Sequence, residues 1–385
     1  MTMLTDPKKF ISYFSDRFGP PDFLVRAPSR INIIGEHIDY CGGTVLPFAS
    51  ELSMYFLIRK KDEGSACIES YNYQETYKPK LEDADVHWKR LVNHIFSSLS
   101  NKSDQDFTFD LSFYSDIPSG GGLSSSTALC CGIVSILNSA YGINLSKEEI
   151  IAISSAAEYG AGVKGGLMDQ FAIVCSRKGQ LLKLDCSNNN FRYLDFDFKR
   201  SKFFLLDTSV HHMLAKSEYN VRRQELLEGL SLLGSDASLK DALSSLSFKE
   251  IGAIRDDVLR KRILHIISEQ ERVLLAERAI AEGNMDKLGA LLFDSHASLK
   301  ENYEVSCEEA DFLVDQLKKI PEVLGARIMG GGFGGHVLAM VPGETQDEFF
   351  DTLKLSYEKR FTNALVVRSI QSTDGLQSRK INRSD

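Results

Sequence analysis

The alternation of apolar and polar residues predicts a regular succession of strands and helices, with no long low-complexity linker. In the first half, an amphipathic stretch predicts a short helix at 7–18 and a helical pattern predicts one near 88–99. Further helices are predicted near 126–140 and 147–159. Segments rich in Val, Ile, Phe and Tyr predict strands near 22–34, 44–60, 65–72 and 107–113. The first half is therefore expected to combine a sheet with helices.

The second half changes from β-rich to α-rich composition. Strands are predicted at 180–186, 191–196 and 202–207, and a helical region with a break at 235–247 covers 214–320. A β–α–β end follows, with strands at 326–329, 336–341 and 364–369 and a helix near 345–358. The change in composition predicts two domains, 1–195 and 196–385. We also expect the strand near 363–369 to pack back on the N-terminal half.

The composition is that of a globular protein, with 43% hydrophobic and 25% charged residues among 385. The net charge of −8 argues against a nucleic-acid partner, since such proteins usually present a basic face. No apolar stretch is long enough to span a bilayer, and the start MTMLTDPKKF has no apolar core of the signal-peptide type. Seven cysteines without a CxxC pair predict reduced thiols, a cytoplasmic protein and no zinc site.

The segment RAPSRINIIGEHIDYCGG, residues 26–43, carries the densest set of candidate functional groups. Its isoleucines predict a strand held in a core, and the turn after this strand brings two carboxylates, an imidazole and a phenol together. These groups belong to Glu36, Asp39, His37 and Tyr40. Carboxylates beside an imidazole can accept hydrogen bonds from several neighbouring hydroxyl groups. A sugar is the ligand that this arrangement favours.

A second candidate is the glycine- and serine-rich loop in IPSGGGLSSSTALCCG, residues 117–132. Three glycines, Gly120 to Gly122, allow positive φ and a close approach to a ligand. Three serines then open an apolar helix, whose first N–H groups and positive dipole end favour a phosphate. The motif is not of the Walker type, because no Gly-Lys-Ser/Thr follows the glycines. The alternative is a flexible loop with an ordinary serine N-cap.

Two further segments combine glycines with polar residues. In EYGAGVKGGLMDQF, Glu158 ends a helical pattern and Asp169 begins an apolar run, where a carboxylate could accept a proton or orient a hydroxyl nucleophile. The alternatives are a solvated helix end for Glu158 and a helix N-cap for Asp169. In ARIMGGGFGGHVLAMV, residues 326–341, five glycines predict a tight loop pressed against a ligand or the first glycine loop, or else a structural hairpin.

In this order and spacing, the four motifs resemble the galactokinases of the GHMP small-molecule kinase superfamily. Residues 26–43 resemble the galactokinase signature, PSGGGLSSS the phosphate loop of the superfamily, MDQF the segment of the catalytic aspartate, and GGGFGG its third motif. The resemblance implies ATP- and Mg²⁺-dependent phosphorylation of the C1 hydroxyl of α-D-galactose. It also implies a two-domain α+β fold of α/β sandwich-type layers, with mixed or antiparallel sheets and an active site in the interdomain cleft.

The same resemblance implies roles for individual residues. Arg30 would lie beside the nucleophilic hydroxyl, and Asp169 would be the catalytic base or the group that orients this hydroxyl. The residues expected to contact the sugar are Glu36, His37, Asp39, Gly166 and Tyr219. The residues expected around ATP are Trp88, near the adenine, and Gly120, Gly121, Gly122, Leu123, Ser124, Ser125 and Ser126. Ser126 and Glu158 would form the magnesium-binding pair.

Several positions depart from the family pattern and leave more than one sugar open. Ser29 stands where glycine is usual, Ile38 and Cys41 where threonine and asparagine are common, and Met329 and His336 where threonine and cysteine are usual. A kinase of a related sugar, namely N-acetylgalactosamine, arabinose or galacturonate, is therefore the alternative. A regulator that binds galactose and ATP without catalysis is the third reading. We expect a monomer or weak dimer, without nucleic-acid or membrane partners.

Overall fold

A computed structural model describes residues 7–79, 84–100, 102, 106–118, 120–210, 215–233, 238–246, 248–345 and 347–381. In these ranges the strands are β1 (Phe23–Asn32), β2 (Thr44–Val45), β3 (Pro47–Lys60), β4 (Cys67–Ser70), β5 (Glu75–Tyr77), β6 (Phe109–Ser115), β7 (Gln180–Asp185), β8 (Asn190–Asp195), β9 (Ser201–Asp207), β10 (Gly325–Ile328), β11 (His336–Pro342), β12 (Val366–Ile370) and β13 (Gln377–Lys380).

The α-helices are α1 (Pro7–Phe18), α2 (His87–Ser100), α3 (Ser125–Tyr141), α4 (Lys147–Gly160), α5 (Met168–Cys175), α6 (Ala215–Leu232), α7 (Ala242–Ser245), α8 (Phe248–Ile251), α9 (Asp257–Ala281), α10 (Met285–Glu301), α11 (Glu308–Leu317) and α12 (Phe349–Phe361). Nearly all elements predicted from the sequence are present. The short strands β5 and β13 and the short helix α5 are additions. Part of the predicted break at 235–247 and Ser119 of the glycine loop lie outside the described residues.

The N-terminal layer is a six-stranded sheet in the order β13-β1-β3-β6-β4-β5. Its pairs are antiparallel except for β4 with β6, so the sheet is mixed as expected. Helix α3 packs on β1 and β3, and its apolar residues are buried on nearly every side, which is typical of a core helix. Gly132 of this helix lies directly against the ring of Phe56, so the helix approaches the sheet closely.

The C-terminal layer is an antiparallel four-stranded sheet in the order β10-β11-β9-β12, and a separate antiparallel sheet pairs β2, β7 and β8. Helices α9 and α10 pack on each other, and α10 and α11 cover β10. One cluster of buried apolar side chains extends from the N-terminal sheet and α3 to the C-terminal sheet and α10. The two layers therefore meet through a continuous core.

The C-terminal end differs from the expectation in one respect. The predicted strand near 363–369 corresponds to β12, which pairs with β9 in the C-terminal sheet and does not return to the N-terminal half. The segment that returns is β13, which pairs with β1. The edge of β9 accepts β12, and the chain then crosses so that β13 covers the free edge of β1. The domain boundary at 195/196 stays a prediction.

Candidate active site

Arg30 on β1 and Asp169 on α5 form a two-point ion pair. Nε of Arg30 lies 2.7 Å from Oδ1 of Asp169, and Nη2 lies 3.1 Å from Oδ2. Nη1 donates to the carbonyl oxygen of Gly122 at 2.7 Å, and the Ser124 hydroxyl donates to Asp169. Because Leu167 is the N-cap of α5, the alternative reading of Asp169 as a cap is wrong. The pair joins the 26–43 segment to the glycine loop.

Glu158 is buried near the end of α4, so its alternative reading as a solvated helix end is also wrong. Thr127 donates to both carboxylate oxygens, at 2.9 and 3.1 Å, and Nε2 of Gln170 donates to Oε2 at 2.7 Å. Burial, and then the nearby charge of Asp169, raises the pKa of Glu158 to about 7. A buried carboxylate close to a second carboxylate favours a neighbouring cation.

Ser126, the second residue of the predicted magnesium pair, faces the cleft beside α2. Its hydroxyl lies 3.5 Å from Nε2 of His87, whereas the next residue, Thr127, bonds to Glu158. No group of three or more His, Cys, Asp or Glu side chains suited to a metal occurs in the described ranges. The possible metal ligands near Ser126 are thus one carboxylate and several hydroxyl oxygens. Such a set suits Mg²⁺ when phosphate oxygens supply the remaining ligands. Joint binding by Ser126 and Glu158 stays a prediction.

The glycine loop presents unpaired backbone donors. Gly120, Gly122 and Ser124 have positive φ, at 73°, 71° and 58°. Among the described residues, no acceptor is bonded to the N–H groups of Gly122, Leu123 or Ser124, and α3 starts directly after them. The Ser124 side chain does not cap the helix, so an ordinary serine cap is not what this loop forms. Three free N–H groups at the positive end of a helix suit phosphate oxygens.

The glycine run at 330–335 joins β10 to β11 and lies on the first glycine loop. It is therefore both a structural hairpin and a loop pressed against the first glycine loop. A Cβ atom added at Gly330 would lie 3.0 Å from the carbonyl oxygen of Gly122, and one at Gly335 would lie 3.0 Å from that of Gly121. Glycine is required at both positions, because each also has positive φ. The C-terminal hairpin therefore forms the floor of the phosphate loop.

A cleft of about 520 Å³ opens beside the glycine loop. Its wall includes Trp88, Gly120, Ser125 and Ser126 from the predicted ATP residues. The Trp88 ring packs edge-to-face on Phe113, with ring centres 5.6 Å apart. The remaining predicted ATP residues, Gly121, Gly122, Leu123 and Ser124, do not line this cleft and lie toward the Arg30–Asp169 pair. The cleft has the size of a small-molecule site and continues into the phosphate loop.

Glu36 is held by the C-terminal half of the chain. Its Oε1 accepts from Nη1 of Arg327 and from the N–H of Gly330, both at 3.0 Å. Arg327 on β10 is fully buried and also donates to the carbonyl oxygens of Asn32 and Ile33. The sequence reasoning missed this arginine. The available signal was a cation inside the apolar strand that leads into the third glycine run.

His37 belongs to a buried chain of hydrogen bonds. Its Nδ1 lies 3.0 Å from the hydroxyl of Tyr40, which lies 2.7 Å from the hydroxyl of Tyr303, and the Tyr219 ring stands 5.5 Å from the His37 ring. Burial, and then the charge of His265, lowers the pKa of His37 to about 3, so the imidazole is neutral. Its Nε2 has no partner within the described ranges. A neutral ring nitrogen there suits a ligand hydroxyl.

Asp39 lies directly against the backbone of Gly166. A Cβ atom added at Gly166 would lie 2.3 Å from Oδ2 of Asp39, so only glycine fits. Burial, and then the charge of Asp169, raises the pKa of Asp39 to about 7. The five predicted sugar residues, Glu36, His37, Asp39, Gly166 and Tyr219, thus fall in one region next to Asp169. Their contacts with a sugar stay predictions.

Comparisons with known proteins agree with this geometry. Models described as the GHMP kinases N terminal domain and GHMP kinases C terminal match residues 89–177 and 276–359. The solved mevalonate kinase of Methanococcus jannaschii is 18% identical, with a TM-score of 0.62 over 92% of this chain and 99% of that chain. The protein has the two-domain fold of the GHMP kinases.

More similar proteins narrow the assignment. A galactokinase galactose-binding signature matches residues 9–60. The galactokinase of Thermotoga neapolitana is 37% identical over 354 residues, covering 92% of this chain and 99% of that protein. The solved galactokinase of Lactococcus lactis, complexed with galactose, is 29% identical, with a TM-score of 0.90 over 97% of this chain and 100% of that chain. The chain belongs to the galactokinase family.

Proposed function

We propose that this chain transfers the γ-phosphoryl group of ATP to the C1 hydroxyl of α-D-galactose in the presence of Mg²⁺. The observation that carries the proposal is the junction of Arg30, Asp169 and Ser124. This junction joins segment 26–43, whose side chains can accept hydrogen bonds from sugar hydroxyls, to a loop with several free N–H groups. A sugar hydroxyl and a phosphate bound on these two sides meet at Asp169.

The hydrogen bonds of Asp169 leave room for one more donor. A carboxylate offers about four lone-pair sites. Two are used by Arg30 and one by Ser124. The Asp169 side chain is 26% exposed, whereas that of Arg30 is 6% exposed, so the remaining site can be reached. It accepts the proton of the C1 hydroxyl or orients this hydroxyl, and Arg30 stabilises negative charge on the phosphoryl group.

The phosphates of ATP are bound by the free N–H groups of Gly122, Leu123 and Ser124, and the adenine occupies the cleft beside Trp88. Ser126 and Glu158 would supply oxygen ligands to Mg²⁺, and the bound ion would neutralise charge on the phosphates. Burial is the main reason that the pKa of the Glu158 carboxyl group is raised to about 7. This supports the role, because a nearby cation would stabilise the ionised carboxylate.

The sugar is held by acceptors that face the same region. Nε2 of His37 is buried and unpartnered in the described part of the chain, and Asp39 is half-buried close to the charge of Asp169. The aromatic ring of Tyr219 closes this region against Tyr40, with ring centres 5.5 Å apart. This ring supports galactose over N-acetylgalactosamine, because a 2-acetamido group needs additional room there.

Two finer points belong to the proposal. The chain divides into domains 1–195 and 196–385, and it works in the cytoplasm as a monomer or weak dimer. All seven cysteines are free, which supports a reducing compartment. Across the described residues, none of the helices combines the length and apolar character that crossing a membrane requires.

The test measures ADP formation by the purified protein with galactose, N-acetylgalactosamine, arabinose and galacturonate. The comparison uses kcat/KM, since this ratio defines specificity. We expect ADP formation with galactose to exceed that with each other sugar. A higher kcat/KM for another sugar would identify that sugar as the preferred substrate and refute the proposal for galactose. Galactose binding without ADP formation would instead indicate a regulator.

A further inference from the structure

We propose that His336 is a positioning residue for nucleotide binding, which holds the phosphate loop by donating a hydrogen bond to the carbonyl oxygen of Gly121. This inference rests on the proposed function, because it assumes that the loop binds the phosphates of ATP. His336 lies outside the residues that the family resemblance assigns to the site. It occupies the first position of β11, directly after the third glycine run.

The His336 ring is fixed on two sides. It is 1% exposed, and its Nδ1 lies 2.8 Å from the carbonyl oxygen of Gly121. A carbonyl oxygen can only accept, so Nδ1 carries the hydrogen. On its other side, Nε2 faces Oδ2 of Asp207 at 3.9 Å, on the residue that pairs with His336 across β9 and β11. The donor direction is therefore set by the C-terminal sheet.

The contact between the ring and the loop leaves no free space. A Cβ atom added at Gly121 would lie 2.2 Å from Cε1 of His336. Gly335 closes on the same carbonyl from the adjacent position, at 3.0 Å for an added Cβ atom. Among the described residues, His336 supplies the only side-chain or backbone donor to this oxygen. Removing the imidazole would leave a buried acceptor without a donor, which is unfavourable.

The geometry of the peptide unit connects this bond to the phosphate site. In a trans peptide the C=O of one residue and the N–H of the next point in opposite directions, and the described chain has no cis peptide. Holding the Gly121 carbonyl toward β11 thus directs the N–H of Gly122 away from it. Arg30 acts on the next peptide unit, because it donates to the carbonyl oxygen of Gly122. The N–H of Leu123 therefore points away from Arg30.

Two side chains from different sheets therefore aim two successive N–H groups, and both groups are unbonded in the described structure. Arg30 also contacts Asp169, so its removal would disturb the reacting groups. His336 donates instead to the phosphate loop at Gly121, and its other ring nitrogen faces Asp207 of the C-terminal sheet. Its effect is expected on the nucleotide and not on galactose.

The experiment compares His336→Asn with His336→Leu. Both replacements branch at Cγ as histidine does, but only asparagine keeps a nitrogen donor at the position of Nδ1. Affinity for Mg²⁺-ATP is measured by calorimetry without sugar, and affinity for galactose without nucleotide. We expect His336→Leu to raise the Kd and KM for ATP by about 10- to 100-fold, as for a lost buried hydrogen bond. We expect His336→Asn to stay within about threefold of the unchanged protein.

Galactose affinity serves as the control for folding, and it should stay within about twofold in both variants because the hydrogen bond that they change belongs to the phosphate loop. If His336→Leu does not fold, His336→Gln takes its place, since its amide nitrogen lies one atom further along the side chain. The proposal would be overturned if His336→Leu, or the glutamine variant in its place, bound ATP as tightly as the unchanged protein. It would also be overturned if His336→Asn lost as much ATP affinity as His336→Leu. A protein that binds ATP but does not phosphorylate galactose refutes the proposed function and leaves this comparison intact.

Discussion

The sugar side and the phosphate side of this site are built in different ways. On the sugar side, Glu36 and His37 are held by partners far along the chain, including Arg327 and Tyr303. On the phosphate side, one continuous stretch, residues 120–126, carries the free N–H groups and the start of α3. A site made of backbone donors can be predicted from one short segment of the sequence. A site made of oriented side chains depends on the residues that pack behind those side chains.

The two sides also differ in how Glu36 and the backbone of the phosphate loop are paired. Glu36 is 2% exposed and is bonded to Arg327 and Gly330, so it is fixed before any ligand arrives. The phosphate loop instead keeps backbone donors unbonded and ready for an anion. Asp169 connects the sides, since it is bonded to both Arg30 and Ser124. Changes at Asp169 should thus affect turnover, and changes behind one side should affect only that side.

The largest effect is expected from Asp169→Asn, which keeps the shape and removes the charge and the proton acceptor. We expect kcat to fall by about 10²- to 10⁴-fold, the range of general acid–base assistance. Phosphate-loop binding of ATP should change much less. Single-turnover ADP formation with galactose measures the first effect, and calorimetry with Mg²⁺-ATP measures the second. Unchanged turnover would refute the role given to Asp169.

The next largest effect is expected from Arg327→Met, which breaks the support of the sugar side. Removing one partner of a buried ion pair leaves Glu36 uncompensated, so we expect a loss of about 3–5 kcal/mol in the free energy of unfolding. Urea denaturation measures this loss. Arg360→Met is the matched control, because its pair with Glu308 is exposed and is worth about 1 kcal/mol or less. Equal losses in the two variants would contradict the comparison.

Gly166→Ala tests the sugar side with a single methyl group. The added carbon would meet the Asp39 carboxylate at 2.3 Å, so Asp39 must move. We expect kcat/KM for galactose to fall by about 10- to 100-fold, as small displacements of binding groups do, with little change in KM for ATP. Gly165→Ala is the control, because nothing lies within 4 Å of a carbon added there. A similar loss in the control would point to the loop backbone.

The effect that is smallest for a single step, one pH unit, concerns the dependence of stability on pH. Burial raises the pKa of Asp39 to about 7, above its ordinary value of 3.8. Between these values the folded protein binds more protons than the unfolded chain, so the free energy of unfolding decreases as pH rises from about 4 to 7. The slope from one such group is about 1 kcal/mol per pH unit. We expect Asp39→Asn to reduce the slope measured by urea denaturation at several pH values.

The slope should not vanish in this variant. Burial also raises the pKa of Glu158 to about 7 and that of Asp116 to about 6, and both act in the same direction. Addition of Mg²⁺-ADP should flatten the Glu158 part, because a cation favours the ionised carboxylate. A slope that is identical with and without Asp39 would show that this carboxylate is ionised in the folded protein at lower pH.

Much of the fold could be predicted from the pattern of residues, because α3 and β3 are long segments rich in apolar residues. The short strand β13 could not, since four exposed residues have no such signal and its pairing with β1 is set by the path of the chain. The motifs singled out Arg30 and Asp169, and the structure brings their side chains into contact. Arg327 was missed, because a buried cation becomes intelligible only with its partners.

By itself, the sequence determined the phosphate loop, the candidate base and the cluster of acceptors in 26–43, because these features consist of neighbouring residues whose chemistry does not depend on distant contacts. Tertiary structure alone decided which atoms remain available. It assigned Oε1 of Glu36 to Arg327, bonded Glu158 to Thr127 and placed His336 behind Gly121. The physical reason is that hydrogen-bond capacity is limited, so the chemistry open to a ligand is what the folded chain leaves unpaired.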